Sequence, residues 1–460
     1  MLRQVRQFRG TEFRLVLIVL IFFAAGYLQV VFATRQRDFV PTVPGVLTIL
    51  WPSTLPFLLF ILASLGLSWR LPRADQMLLP MVALLTGLGL LLTTRLQPSL
   101  NALYGSIYEG IAAKQSLWVT LGVVILAIMI LVPWDNIFIR LQNSSLMDWL
   151  EHHRYTWLLL GVALTVATFF FGVDPNNSGV RVWFDLGLFH FQPSELLKII
   201  LVIFMASFLN EHREMVASGY RMGALTLPPL PYLIPLVAMW GLAMAIIVFQ
   251  RDLGVALLLF GVFLAMLYTA TTSIWYVVAG LAAFGGGAAV LYRYLPVVQD
   301  RVLVWLDPWS VAQGLGYQIV QATYALAAGG VFGTGLGRGV PAVVPAVHTD
   351  FVFIAIAEEL GLIGTIAVLI AYIVLIFRGF HIALAVKGRF RGFEQLLAVG
   401  LTVILAIQTF VIIGGNLRVI PLTGITLPFI SYGGSSVLVN FLIIGLLMRI
   451  SAGNQAGGQG

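Results

Sequence analysis

Asp350 ends a polar stretch in the run His348-Thr349-Asp350-Phe351, and two adjacent carboxylates, Glu358 and Glu359, follow it inside an apolar segment. Thr349 and Asp350 at a helix start are ordinary capping residues. Capping does not account for two carboxyls about two turns deeper, where a charge in hydrocarbon is costly. At about 100° per residue, Glu358 falls about 80° around the helix from Asp350, on the same broad face, while Glu359 falls nearly opposite, toward another helix. Such a pattern points to a polar, outward-facing cavity. Three other clusters carry groups of the same kind. Gln192-Pro193-Ser194-Glu195-Leu196-Leu197-Lys198 opens an apolar segment, with proline in a first helical turn and Glu195 and Lys198 three apart on one face. That ion pair either holds helices together or serves a site. Gln250-Arg251-Asp252-Leu253-Gly254 is a tight hairpin in which Asp252 either caps the next helix or takes a direct chemical part. Asn416 to Ser436 contains Pro421-Leu422-Thr423-Gly424 and Pro428-Phe429-Ile430-Ser431-Tyr432-Gly433-Gly434-Ser435-Ser436. Prolines and paired glycines there break a helix, and the hydroxyls satisfy the freed backbone groups.

The elements that position these groups follow from hydropathy. Sixty per cent of the 460 residues are apolar, ten per cent are charged, and the mean hydropathy is +0.97. A soluble chain covers its core with a charged skin of about a quarter of its residues, so lipid is the solvent here. Apolar runs of roughly 20 residues cross a bilayer. Twelve candidate spans result, near 14–34, 44–68, 77–94, 115–133, 155–172, 193–210, 227–249, 252–270, 274–294, 351–377, 393–416 and 430–449. Arg3, Arg6 and Arg9 precede the first, but that run is too long for a signal peptide and no clear cleavage site follows, so it reads as a retained anchor. Twelve spans place both termini on one side. Assigned to the cytoplasm, that side carries 15 Lys and Arg against ten outside, as the positive-inside rule asks, although Arg35 and Arg37 run against it.

The net charge of +7 is scattered among short loops, which argues against a nucleic-acid surface. The chain has no cysteine, which excludes disulfides, thiolate metal sites and a cysteine nucleophile. One connection is long, from about 295 to 350, and would lie outside. It keeps Trp305, Trp309, Tyr317 and Tyr324, and residues 317–328 suit a short helix at the membrane surface. The glycine-rich stretch from Gly329 to Gly339 lacks the Gly-Lys-Ser/Thr ending of a P-loop and no strand precedes it. It is better read as a flexible substrate-handling loop. The fold class is therefore an all-α polytopic membrane protein with about 12 transmembrane helices and a long extracytoplasmic loop.

The clusters occur in an order that resembles the SEDS family (shape, elongation, division and sporulation) of RodA- and FtsW-like membrane proteins. The matching features are Gly179-Val180-Arg181-Val182-Trp183, Gln192 to Lys198, Gln250 to Gly254, Gly316-Tyr317-Gln318, the glycine-rich stretch, His348 to Phe351, Ala357-Glu358-Glu359-Leu360-Gly361, and Pro421 to Ser436. The resemblance covers about residues 77 to 450. It implies a ten-helix core at 75–450, preceded by a two-helix extension at 1–74 and followed by a tail at 451–460. One departure lies in the hairpin, where Arg251 stands in place of the family's usual proline. The substitution makes the hairpin less rigid or adds a positive charge near an anionic substrate.

The resemblance implies polymerisation of lipid II into peptidoglycan glycan strands outside the cytoplasmic membrane, with release of undecaprenyl pyrophosphate. An acceptor hydroxyl attacks the donor anomeric carbon, which calls for a base at the hydroxyl and positive charge at the leaving group. By its match to the His-Thr-Asp-Phe motif, Asp350 is the implied base. Lys198 and Arg181, both in family motifs, come first among the cations for the pyrophosphate, ahead of Arg301 and Arg338. Glu195 would orient Lys198, and Glu358 would support the Asp350 region or serve structure alone. Asp252, Ser431 and Ser435 complete the implied substrate-binding set. A divalent cation, Mg or Mn, fits between carboxylates and pyrophosphate, but no ligand set stands out. The resemblance also implies a class B penicillin-binding protein as partner, besides membrane lipid, and a bacterial cytoplasmic membrane with both termini inside. A flippase for lipid-linked precursors and a non-catalytic cell-wall scaffold are the alternatives.

Overall fold

The computed structural model of the chain describes residues 9–33, 43–174, 181–187, 190–217, 220–222, 225–227, 230–388 and 391–454. Arg3, Arg6, Arg35, Arg37, Gly179 and Val180 lie outside them. Among the described residues the chain is almost wholly helical: α1 (Gly10–Ala33), α2 (Val43–Arg70), α3 (Leu78–Tyr104), α4 (Ile111–Leu131), α5 (Trp134–Gln142), α6 (Leu146–His152), α7 (Arg154–Phe171), α8 (Pro193–Ala217), α9 (Leu230–Phe249), α10 (Leu253–Thr271), α11 (Ile274–Tyr294), α12 (Pro296–Leu306), α13 (Tyr317–Gly329), α14 (Val352–Ala385), α15 (Gly392–Asn416) and α16 (Gly434–Asn454). Two short antiparallel hairpins pair β1 (Phe184–Asp185) with β2 (His190–Phe191) and β3 (Tyr220–Met222) with β4 (Leu225–Leu227).

Eleven of these helices are long and apolar enough to cross a membrane. The twelfth expected span, 227–249, is α9, whose apolar stretch Leu233–Phe249 is shorter. The long connection is structured: it holds α12, α13 and short 3-10 turns at Pro308–Val311 and Pro341–Val343.

The chain divides into two compact units, one comprising Met1–Leu131, Asp300–Arg378 and Gln408–Ala452, the other Val132–Gln299, Gly379–Ile407 and Gly453–Gly460. In the first, α2 packs on α4, and α1 on α2 and α3. Arg9 fixes one end of this bundle. It is 1% exposed, donates to the carbonyls of Leu71, Ala74 and Asp75, and pairs with the Glu12 carboxylate. Ser64 of α2 donates to Glu12 at 2.9 Å, and the Asp75 carboxylate pairs with Arg378 of α14. A buried guanidinium needs this many acceptors because each unmet donor carries its full desolvation cost.

Helix α14 is interrupted at Gly361, which takes φ 65° and ψ −166°. The segment after α13 repairs the break. The amides of Thr334 and Gly335 donate to the carbonyls of Glu358 and Glu359 at 2.9 and 3.0 Å, and those of Leu362 and Ile363 donate to Gly330 and Val331 at 3.0 and 3.2 Å. A helix broken among packed apolar residues leaves polar groups that must find partners in protein, and here the inserted turns supply them. The glycines allow that approach: a Cβ at Gly333 would collide with the backbone of Glu359. The stretch expected to be a flexible substrate-handling loop is therefore a fixed structural insert. Gly361 occupies backbone space open essentially to glycine alone, so Gly361→Ala is expected to destabilise the protein by at least about 1–3 kcal/mol. Thermal unfolding in detergent measures it.

In the second unit α8 packs on α7, α9 and α10, and α10 on α11. The hairpin between α9 and α10 is anchored by Gln250, whose Nε2 donates to Thr165 O at 3.1 Å and Thr168 Oγ1 at 2.8 Å. Arg251, at its tip, is exposed and takes φ 57°.

Candidate functional site

Asp350 lies in the turn that leads into α14, and its backbone is gripped from the segment 416–432. Asn416 Nδ2 donates to the Asp350 carbonyl at 2.8 Å, Ser431 Oγ to the Thr349 carbonyl at 2.5 Å, and the Tyr432 amide to the His348 carbonyl at 2.8 Å. Ser431 Oγ also accepts from the Leu427 amide at 2.9 Å. The broken-helix cluster thus serves to hold the His348–Asp350 turn. The His348 ring sits between those of Tyr108 and Tyr432, with centroids at 5.0 and 5.6 Å. Burial lowers its pKa to about 4, so the imidazole is neutral.

The Asp350 side chain opens onto a cleft of about 280 Å³ lined by Asp300, Arg301, Val304 and Trp305 of α12, Leu315, Gln318 and Ile319 around the start of α13, Gly415 at the end of α15, and Arg418, Ile420, Leu422, Thr423 and Gly424 beyond it. Only partial exposure to this cleft remains to it. Removal from water raises its pKa from 3.8 to about 6, with Thr349 and Arg301 opposing the rise. A carboxylate so placed is a stronger base than a solvated one and is still ionised at neutral pH. Arg301 lies on the same cleft, with Nη1 3.5 Å from the Thr423 carbonyl.

Other residues predicted from sequence are elsewhere. Glu358 does not line this cleft: its Oε1 accepts from the Val340 amide at 2.6 Å. Glu359 accepts from the Gly337 amide at 3.1 Å and pairs with Arg95 of α3 at 2.9 Å, and Arg95 donates to Gly339 O at 2.8 Å. The two carboxylates therefore clamp the inserted segment, and the helix partner expected for Glu359 is Arg95. Arg338 is exposed on that segment, and Ser435 is buried in the first turn of α16.

The remaining predicted residues belong to the second unit. Glu195 and Lys198 form an ion pair of 2.7 Å in which Lys198 is 1% exposed. Asp252 caps α10, accepting from the Val255 amide at 3.1 Å, and also accepts from Gln192 Nε2 at 3.2 Å. Arg181 is exposed. No group of three or more His, Cys, Asp or Glu among the described residues is placed to hold a metal ion. Sequence reasoning missed Arg418 and Asp300 as cleft residues, because no spacing pattern links them to Asp350.

A multi-pass helical membrane protein with a shielded carboxyl and a guanidinium on one cleft is the class these features define. The FtsW/RodA/SpoVE model, described as cell cycle protein, matches residues 75–456, and the chain belongs to that family. It is 41% identical over 399 residues to peptidoglycan glycosyltransferase RodA of Mycobacterium tuberculosis, covering 86% of this chain and 81% of that one. It is 37% identical over 425 residues to the protein of that name in Mycobacterium leprae, covering 92% and 86%. Its fold matches a chain of a solved peptidoglycan synthase complex, studied for coordination of polymerization and crosslinking, with TM-score 0.64, 26% identity and coverage of 83% and 98%.

Proposed function

We propose that this chain, a peptidoglycan glycosyltransferase, polymerises lipid II on the outer face of the cytoplasmic membrane with Asp350 as the base. The carrying observation is the shielded Asp350 carboxyl facing Arg301 across a cleft of about 280 Å³. Ionised Asp350 accepts the proton of the acceptor hydroxyl as its oxygen attacks the donor anomeric carbon. The glycosidic bond to the lipid pyrophosphate breaks, and the pyrophosphate leaves with the bonding electrons. Arg301 supports the developing charge at this cleft, since a preorganised cation in a water-poor site stabilises an anion strongly. Lys198, oriented by Glu195, and Arg181 are the further cations proposed for the pyrophosphate, with Arg338 after them. Asn416 and Ser431 fix the turn that carries the base. A Mg or Mn ion on the pyrophosphate is compatible with this chemistry. Both termini lie in the cytoplasm, and a class B penicillin-binding protein is the proposed partner.

The test is glycan-chain formation from purified lipid II by the purified protein together with its transpeptidase. Polymer is expected. Lipid II that crosses the bilayer without polymer forming would establish a flippase, and binding without either activity a scaffold.

A further inference from the structure

We infer that Arg418 is a positioning residue for this reaction: its reciprocal hydrogen bonds with Trp305 fasten α12 to the end of α15 and so hold Arg301 across the cleft from Asp350. The inference rests on the proposal that Asp350 is the base. Trp305 Nε1 donates to the Arg418 carbonyl at 2.9 Å, and Arg418 Nη2 donates to the Trp305 carbonyl at 3.0 Å. Two residues thus exchange both a side-chain and a backbone group, which fixes orientation as well as distance.

Helix α12 depends on this lock. None of its residues is fully buried, and with Val304 packed partly buried against the core its orientation rests largely on side-chain ties such as this one. Asp300, Arg301, Val304 and Trp305 all line the cleft, and Arg301 precedes Trp305 by one helical turn on the same face. Turning Trp305 therefore turns Arg301. On the other side, Arg418 lies just past α15 at φ 57°, in a turn closed by its own amide on Gly415 O at 3.1 Å and the Val419 amide on Gly414 O at 2.8 Å. Glycine is the usual residue at such a helix end. Two residues earlier Asn416 holds the Asp350 carbonyl. One short stretch of chain thereby holds the turn bearing the base and the helix bearing the cation.

The charged groups around Asp350 are Asp300 and Arg301 on α12 and Arg418 beyond α15; Gln318 of α13, Tyr432 and His348 are neutral. Arg301 favours the ionised carboxylate. If α12 drifts, that influence weakens and Asp350 ionises at higher pH. Arg418→Gly takes φ 57° without strain but removes one of the cleft's positive charges together with the lock. Trp305→Phe breaks the other bond and leaves Arg418 in place.

The experiment measures lipid II polymerisation against pH in the full protein with its transpeptidase. Both variants are expected to lose at least about tenfold in kcat and to move the acid limb of kcat/KM upward by at least about half a pH unit. Trp305→Phe, which keeps the Arg418 charge, combined with Arg301→Gln should show no greater upward movement than Arg301→Gln alone. A wild-type profile in folded Arg418→Gly or in Trp305→Phe overturns the inference, as does an additive pH effect of Trp305→Phe with Arg301→Gln. Failure of the underlying proposal looks different: Asp350→Asn would retain polymerisation.

Discussion

Asp350→Asn is expected to reduce glycan polymerisation by about 10²–10⁴-fold, the range a positioned general base contributes, while making the protein more stable at neutral pH. Both effects come from the same shielding. The asparagine keeps the shape of the side chain but cannot accept the acceptor hydroxyl's proton, so the rate falls. In the wild type the base must be ionised, and with its pKa raised to about 6 the acid limb of kcat/KM is expected near that pH. Stability has the opposite dependence. A carboxyl whose pKa moves from 3.8 to about 6 on folding binds its proton more tightly in the folded state than in the unfolded chain. Stability therefore declines as pH rises through that window, and the whole penalty is present above about 6. Asparagine carries no such penalty. Its thermal midpoint should exceed the wild-type value at about pH 8, and the gap should close at about pH 3, below both pKa values. A lower midpoint at pH 8 would mean that the carboxylate makes stabilising contacts, and undiminished polymer would remove Asp350 from the chemistry.

The membrane helices were legible because each is an apolar run ended by loop residues, and α10, α11 and α15 begin within one residue of the boundaries that hydropathy predicts. Two-turn arithmetic also placed Glu359 toward another helix, where Arg95 meets it. The same arithmetic failed for Glu358. It assumed that Asp350 belongs to the helix, whereas α14 begins only at Val352 and the Glu358 carboxylate is taken up by the Val340 amide of the inserted segment, earlier in the chain. Glycine-rich composition suggested flexibility for that segment, since glycine has the most conformational freedom to lose. In the fold the same absence of side chains lets two backbones touch. The cleft was half legible. Asp350 and Arg301 could be picked out as charges near spans, but Trp305 and Arg418 are 113 residues apart and meet only through tertiary structure. Local periodicity carries no information about such a pair.

Removal of Arg95 alone is expected to be among the most destabilising single changes in the protein, and removal of both partners less so. Arg95 and Glu359 have side chains 4% and 0% exposed and lie 2.9 Å apart. Arg95→Leu leaves the Glu359 carboxylate buried with no counter-charge and Gly339 O without its donor. Breaking a buried pair this way costs about 3–5 kcal/mol. Glu359→Leu is expected to cost a similar amount, because it strands the guanidinium and also deprives the Gly337 amide of its acceptor. The double variant Arg95→Leu/Glu359→Leu places two apolar side chains where two charges had to be desolvated. Such replacements are often neutral or stabilising, but here Gly337 N and Gly339 O stay unmet, at about 1–3 kcal/mol each. Its stability should therefore lie between wild type and either single variant. A denaturation cycle in detergent reads the difference as a coupling energy, and strict additivity would mean that the two charges do not depend on each other. Loosening should also act selectively. The clamp holds the segment from Thr334 to Val340, which leads directly into the turn bearing Asp350. Either single variant that still folds should accordingly lose polymerisation before it loses its helices, since the insert opens while the spans remain held by lipid and apolar packing.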